Sequence, residues 1–179
     1  MIPEIDCVDG GIVPYMGQNL RLRIQYEEGL GFAGIRLKDG ELRIRTGRTE
    51  HDILCRVLKE WYRRAAGLRI PERTAYYARI MKETYNGIRI KDTKTRWGSC
   101  SGRRNLNFSF RLILAPEAVM EYVIIHELSH LKFMNHSKDF WSRVEEFCPD
   151  YRTQEAWLKE NGGVISRAFG ESQKEKNED

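Results

Sequence analysis

The sequence predicts an α+β fold: an N-terminal antiparallel β meander followed by a mainly helical region. Three observations carry that prediction. Up to residue 47 apolar side chains alternate with charged ones, the period of a half-buried strand. From Thr49 the apolar spacing changes to the three-and-four pattern of helices. Glycine, asparagine and proline punctuate the boundaries between the two patterns. With 179 residues, 41% of them hydrophobic and 11% aromatic, the chain can bury a core. The expected organisation is a single domain over residues 1–170, divided into the meander (1–47), helices with a connecting strand (48–92) and a core that carries the chemistry (93–163). Residues 171–179 are polar without an apolar period and are expected to be disordered.

In the meander, Leu20, Leu22, Ile24 and Tyr26 alternate with Arg21, Arg23 and Gln25. Ile35-Arg36-Leu37-Lys38 repeats the pattern, Asp39-Gly40 signals a hairpin turn, and Leu42-Arg43-Ile44-Arg45 answers it. Ile53, Leu54, Val57, Leu58, Trp61 and Ala65 predict a helix ended by Gly67, and Pro71 opens a second one that stops at Asn86-Gly87. Ile88 to Lys91 alternates as a strand, Trp97 to Gly102 is rich in turn residues, and Leu106 to Leu114 is extended.

Pro116 and Glu117 open the next helix, since proline suits a first turn and a carboxylate suits the positive helix end. Ala118, Val119, Tyr122, Val123, Ile124, Ile125, Leu128 and Leu131 make it apolar on most sides, the mark of a buried helix. It is expected to end near Met134-Asn135. Ser137 is then placed to cap a further helix that turns Phe140, Trp141, Val144 and Phe147 inward. Pro149 ends that helix, and Asp150 caps a last one that stops at Asn161-Gly162-Gly163.

Composition excludes some classes of function and leaves others open. No run approaches the ~20 apolar residues of a membrane span, so no membrane partner is expected. Met1 to Asp6 lacks the basic start and apolar core of a signal peptide. Cys7, Cys55, Cys100 and Cys148 are scattered without a Cys-x-x-Cys pair, which predicts reduced thiols and a cytoplasmic protein. A net charge of +4 is too mild to name a partner. Arg21, Arg23, Arg36, Lys38, Arg43 and Arg45 form a row that reads first as the solvated face of a sheet. The alternative is a basic surface that recruits the protein to nucleic acid, with hydrolysis secondary.

The chemistry is concentrated in His126-Glu127-Leu128-Ser129-His130, with His136 six residues on. On a helix, residues four apart share a face, so His126 and His130 can offer ring nitrogens to one cation. Glu127 lies about 100° round the helix, off the ligand face yet within reach of a water at the metal. Such polar groups on a buried helix are costly unless something satisfies them. Three neutral imidazoles with one open position describe a catalytic zinc site. Zinc lowers the pKa of its water, and Glu127 is placed to take the proton and pass it to a leaving amine. Peptide-bond hydrolysis of a peptide or protein substrate is the matching reaction. A carboxylate of the following helix, Glu145 or Glu146, is the rival to His136 as third ligand, and His51 reads as a helix-start histidine. The strand from Asn105 to Leu114 is expected to form the lip of the cleft and to pair with an extended substrate. Arg111, Tyr122 and Tyr151 are candidates for stabilising the oxyanion.

Thr95-Arg96-Trp97-Gly98-Ser99-Cys100-Ser101, Asn105-Leu106-Asn107 and Arg111 to Pro116 form one set of motifs; His126 to Leu131 and Asn135-His136-Ser137 with Phe140-Trp141 form another. Together they resemble the YgjP-like (DUF45) metallopeptidase family, densely from Thr95 to Trp141 and more loosely upstream. The resemblance implies a zincin-like zinc metallopeptidase, with His126, His130 and His136 as metal ligands and Glu127 as catalytic base. It also implies kinship with the SprT and WLM groups, some of whose members are proteases acting on DNA-bound proteins. Metzincins share these histidine spacings but have glycine where this chain has Phe133, so the turn to His136 must be made differently.

Overall fold

The computed structural model describes Pro3, residues 5–31 and residues 34–169; the tail expected to be disordered lies outside the described residues. The N-terminal strands are β1 (Ile12–Tyr15), β2 (Gln18–Tyr26), β3 (Gly34–Lys38) and β4 (Glu41–Thr46). They form one sheet in the order β1-β2-β4-β3, with β2 and β4 parallel. The expected antiparallel meander is therefore corrected: β4 inserts between β2 and β3. Burial explains the exchange. Leu42, Ile44 and Thr46 of β4 are all buried and belong in the middle, whereas Leu37 of β3 stays exposed and suits an edge. The Asp39-Gly40 hairpin does form between β3 and β4, with φ of 53° and 74°, as a tight two-residue turn of matching twist requires.

The two helices expected between Thr49 and Asn86 are one, α1 (His51–Met81), which runs through Gly67 and Pro71. Leu54, Leu58, Tyr62, Ala66, Ile70, Thr74 and Ala78 recur every four residues and are buried. That unbroken stripe outweighs two local breaker signals, because packing contributes more to helix stability than propensity does. Its end comes before Asn86: Lys82 takes a left-handed conformation and Glu83 N–H donates to the Ala78 carbonyl. Cys7 of the N-terminal loop is bonded to Cys55 of α1, which corrects the reading of four reduced thiols. A separation of 48 residues carries no sequence signal for that pairing; Cys100 and Cys148 are free.

A second, three-stranded sheet follows, of β5 (Gly87–Lys91), β6 (Gly98–Cys100) and β7 (Asn105–Ser109) in the order β5-β7-β6. The chain then forms a 3-10 turn over Phe110–Leu114 instead of continuing as a strand. All five of its side chains are buried, which a strand with two alternating faces would not achieve at a sheet's end. The last helices are α2 (Glu117–His130), α3 (Lys138–Phe147) and α4 (Tyr151–Arg167). α2 is buried on most sides, as its sequence predicts. Ser137 caps α3 by accepting from Phe140 N–H at 3.3 Å. α4 runs on through Gly162-Gly163 because Gly162 faces the Trp97 indole, where a β-carbon would stand 3.0 Å from the ring. None of the helices among the described residues is long and apolar enough to cross a membrane.

Arg111 is the largest fully buried side chain. Its guanidinium donates to Asp92 Oδ1 at 3.1 Å and to the carbonyls of Ile165 at 3.1 Å and Ala168 at 2.7 Å. It thus ties the second sheet's exit to the C-terminal end of α4, where positive charge is favoured. Those bonds occupy its donors, which removes Arg111 from the oxyanion candidates. Replacing Arg111 by alanine leaves these carbonyls unpaired and is expected to cost about 3 kcal/mol or more. A clear fall in the urea midpoint of unfolding checks this; an unchanged midpoint contradicts it.

Candidate functional site

α2 presents His126 and His130 one turn apart, and the short connection to α3 brings His136 back over them. The geometry of that connection is set by Ser129 and Phe133. Phe133 N–H donates to the Ser129 carbonyl, which closes the turn after the helix. The Phe133 carbonyl in turn receives the His130 Nδ1 proton at 3.0 Å. A carbonyl can only accept, so His130 carries its proton on Nδ1 and leaves the Nε2 lone pair outward. His136 Nε2 and His126 Nε2 stand 3.1 Å apart. One ligand atom from each of the three histidines falls within 4.8 Å of the others.

Phe140, fully buried, forms the floor of this cluster, with ring centroids 4.9 Å from His126, 4.4 Å from His130 and 4.9 Å from His136. Trp141 stacks on His136 and on Tyr151. Sequence periodicity marked Phe140 and Trp141 only as inward-facing residues. The contacts of Phe140 with all three imidazoles and of Trp141 with His126 and His136 depend on how α3 crosses α2, which no local pattern encodes.

Burial, together with the neighbouring His130 and His136, pushes the His126 imidazole down to about 3, so it is neutral at physiological pH. Burial lowers His130 as well, against the hydrogen bond to Phe133. Glu127 is buried, and that desolvation pushes its carboxyl up to about 8, against the pull of the Arg96 charge. Neutral imidazoles suit a cation. Two nitrogens each about 2.0–2.1 Å from a tetrahedral zinc would lie roughly 3.3 Å apart, close to the His126–His136 spacing. His126 turns Nε2 towards His136, while its buried Nδ1, on the other side of the ring, has no protein hydrogen-bond partner. The residues fit a metal.

Glu145 and Glu146, the rival ligands, are exposed on α3 and stand outside the cluster. His51 opens α1, is exposed and lies 3.5 Å from Cys55 Sγ, away from the site. In the basic row, Arg23 and Arg43 both pair with Glu41, and Arg45 pairs with Glu27. Two carboxylates thereby offset a third of the row's six positive charges, which weakens the nucleic-acid alternative.

The expected cleft lip needs a correction. β7 lies between β5 and β6, so both of its edges are occupied. β5 and β6 are the edge strands, and β6 is the one that packs against α2. Gly98 of β6 faces Glu127 so closely that a β-carbon there would stand 2.7 Å from Glu127 Cγ and Oε1. Position 98 is therefore part of the site: its missing side chain leaves the space that the carboxylate fills. The only sequence signal was the glycine inside Trp97-Gly98-Ser99-Cys100.

A buried helix bearing His-Glu-x-x-His, a third histidine folded over it and a sheet edge beside the glutamate define a metallopeptidase-type site. Residues 2–161 match the YgjP-like metallopeptidase domain, and the chain belongs to that family. It is a peptidase, and its family implies a metal cofactor that the histidine cluster can bind. Among solved structures it is similar to the metallopeptidase zymogen abylysin of Pyrococcus abyssi, at 22% identity over 51% of this chain and 93% of that one, with a TM-score of 0.46. It is also similar to the zymogen jannalysin of Methanocaldococcus jannaschii, at 25% identity over 50% and 91%, with a TM-score of 0.43. No curated protein matches the chain.

Gly98→Ala is expected to displace the Glu127 carboxylate while leaving the fold intact, because the clash falls on a flexible side-chain end. An ångström-scale shift of a catalytic group costs up to about 10²-fold in rate. Peptidase activity down by at least about tenfold, with an unchanged unfolding midpoint, is the expected pair of results; full activity contradicts the packing role.

Proposed function

We propose that the protein is a zincin-like zinc peptidase in which His126, His130 and His136 hold the metal and Glu127 is the general base. One observation carries the proposal: three imidazole nitrogens converge, two of them from the helix that also bears the buried Glu127 carboxylate. Zinc held there supplies a Lewis acid and makes water acidic enough to attack near neutral pH. Glu127 takes the proton of the attacking water on its carboxylate and returns it to the leaving amine. Its burial penalises the charged carboxylate and so raises its affinity for the proton it takes from the water.

The substrate is a peptide or protein segment in extended form, added to the free edge of β6. Ser109 N–H donates to the Trp97 carbonyl and Ser101 N–H to the Asn105 carbonyl, so residues 97 and 101 turn their backbone towards β7. By the alternation of antiparallel ladders, Gly98 and Cys100 turn theirs outward, ready for a substrate strand. Tyr122 and Tyr151, beside His126 and Trp141, remain the oxyanion candidates. Glu127→Gln keeps the histidines and removes the base. It is expected to retain about one zinc per chain while cleavage of a peptide library falls by about 10²–10⁴-fold. Metal analysis with a cleavage profile checks both; cleavage at the wild-type rate overturns the role of Glu127.

A further inference from the structure

On the outer side of β6 the sheet carries a polar hollow, lined among others by Lys91, Arg96, Gly98, Ser99, Asn107 and Ser109. Its lining contains two cations and no carboxylate. Lys91 and Arg96 are exposed and form no ion pair among the described residues, although the Arg96 charge acts at longer range on the Glu127 carboxyl. The nearest acid in sequence, Asp92, is committed to Lys59 at 2.6 Å and to Arg111 at 3.1 Å, so it does not neutralise the hollow. Hydroxyl chemistry completes the lining. Asn107 Nδ2 donates to Ser99 Oγ at 3.1 Å, which leaves the Ser99 hydroxyl proton free to donate. Ser109 Oγ is already spent on the Thr93 carbonyl at 2.7 Å.

Position links the hollow to the reaction. Gly98 lines it, and the same residue packs against Glu127 from the other side. The hollow and the general base thus lie on opposite faces of the same strand, with Gly98 between them. Lys91 pairs with Ser109 and Ser99 with Asn107 across the sheet, so these side chains share its outer face. A strand added to β6 sends alternate side chains to that face and to the α2 face. Two cations without an ion pair and a hydroxyl donor recognise an anion, and on an unmodified peptide that anion is a carboxylate.

The geometry points to a carboxylate subsite at this hollow, with Arg96 and Lys91 pairing the anion and Ser99 donating to it, for a peptide bound along β6; the assignment rests on the peptidase reading above. The carboxylate has two sources, an acidic side chain near the scissile bond or the C-terminus of a short peptide.

Binding to the Glu127→Gln protein separates these sources and does not depend on turnover. Fluorescence anisotropy would compare three kinds of labelled peptide: a neutral parent with an amidated end, a series with glutamate scanned through each position of the parent, and the parent with a free C-terminus. The expected result is about tenfold tighter binding of one acid-bearing peptide over its neutral partner, a preference reduced to near unity in Lys91→Gln/Arg96→Gln. Arg21→Gln/Arg36→Gln, which removes equal charge from the first sheet, should keep the preference. Tighter binding of the glutamate peptide assigns the side chain as source, and tighter binding of the free-acid peptide assigns the C-terminus. Absence of any preference overturns the subsite. So does a preference that survives Lys91→Gln/Arg96→Gln, or one that Arg21→Gln/Arg36→Gln removes equally. Peptides that bind with this preference but are never cut by wild type would instead remove the peptidase reading.

Discussion

The structure depends on keeping polar groups on a helix that is otherwise buried. α2 places His126, Glu127, Ser129 and His130 among apolar side chains, where each unsatisfied group costs about 1–3 kcal/mol. Two of the four find protein partners: Ser129 donates to the Ile125 carbonyl and His130 to Phe133. His126 Nδ1 finds none. The scaffold therefore holds α2 in place by further means, while His126 turns its other nitrogen, Nε2, towards the remaining histidines.

Those means are ionic at one end of α2 and aromatic at the other. Arg69 of α1 pairs with Glu117, and Arg73 and Tyr77 of α1 both bond Glu121. These contacts fix the first turns of α2 against α1. Glu83, just past α1, accepts from Arg104 before β7 and from Arg143 of α3. The end of α1 is thus bonded to the lead into β7 and to the helix that carries Phe140. Phe140 then supports all three histidines from below.

How much was legible in the sequence follows the range of the interaction concerned. The three histidines, their helix and the Ser137 cap depend on residues within about ten positions, and these were readable. The Asp39-Gly40 turn was readable for the same reason. β4 entering between β2 and β3 was not, because the pattern of each strand is the same whichever neighbour it takes. The single α1 was hidden by Gly67 and Pro71, which are strong local breakers overruled by a stripe of tertiary contacts. The Cys7–Cys55 bond, the close fit of Gly98 to Glu127 and the fit of Gly162 to Trp97 join residues far apart in sequence. Each left only a residue type behind as a clue.

The central claim is that three imidazoles, and no other side chain, hold the metal. X-ray absorption spectroscopy of the zinc-loaded protein tests it most directly. The account predicts three imidazole nitrogens at about 2.0–2.1 Å with one further light atom. A sulfur neighbour at about 2.3 Å, from Cys100 or Cys148, or a count of only two imidazoles, would contradict it.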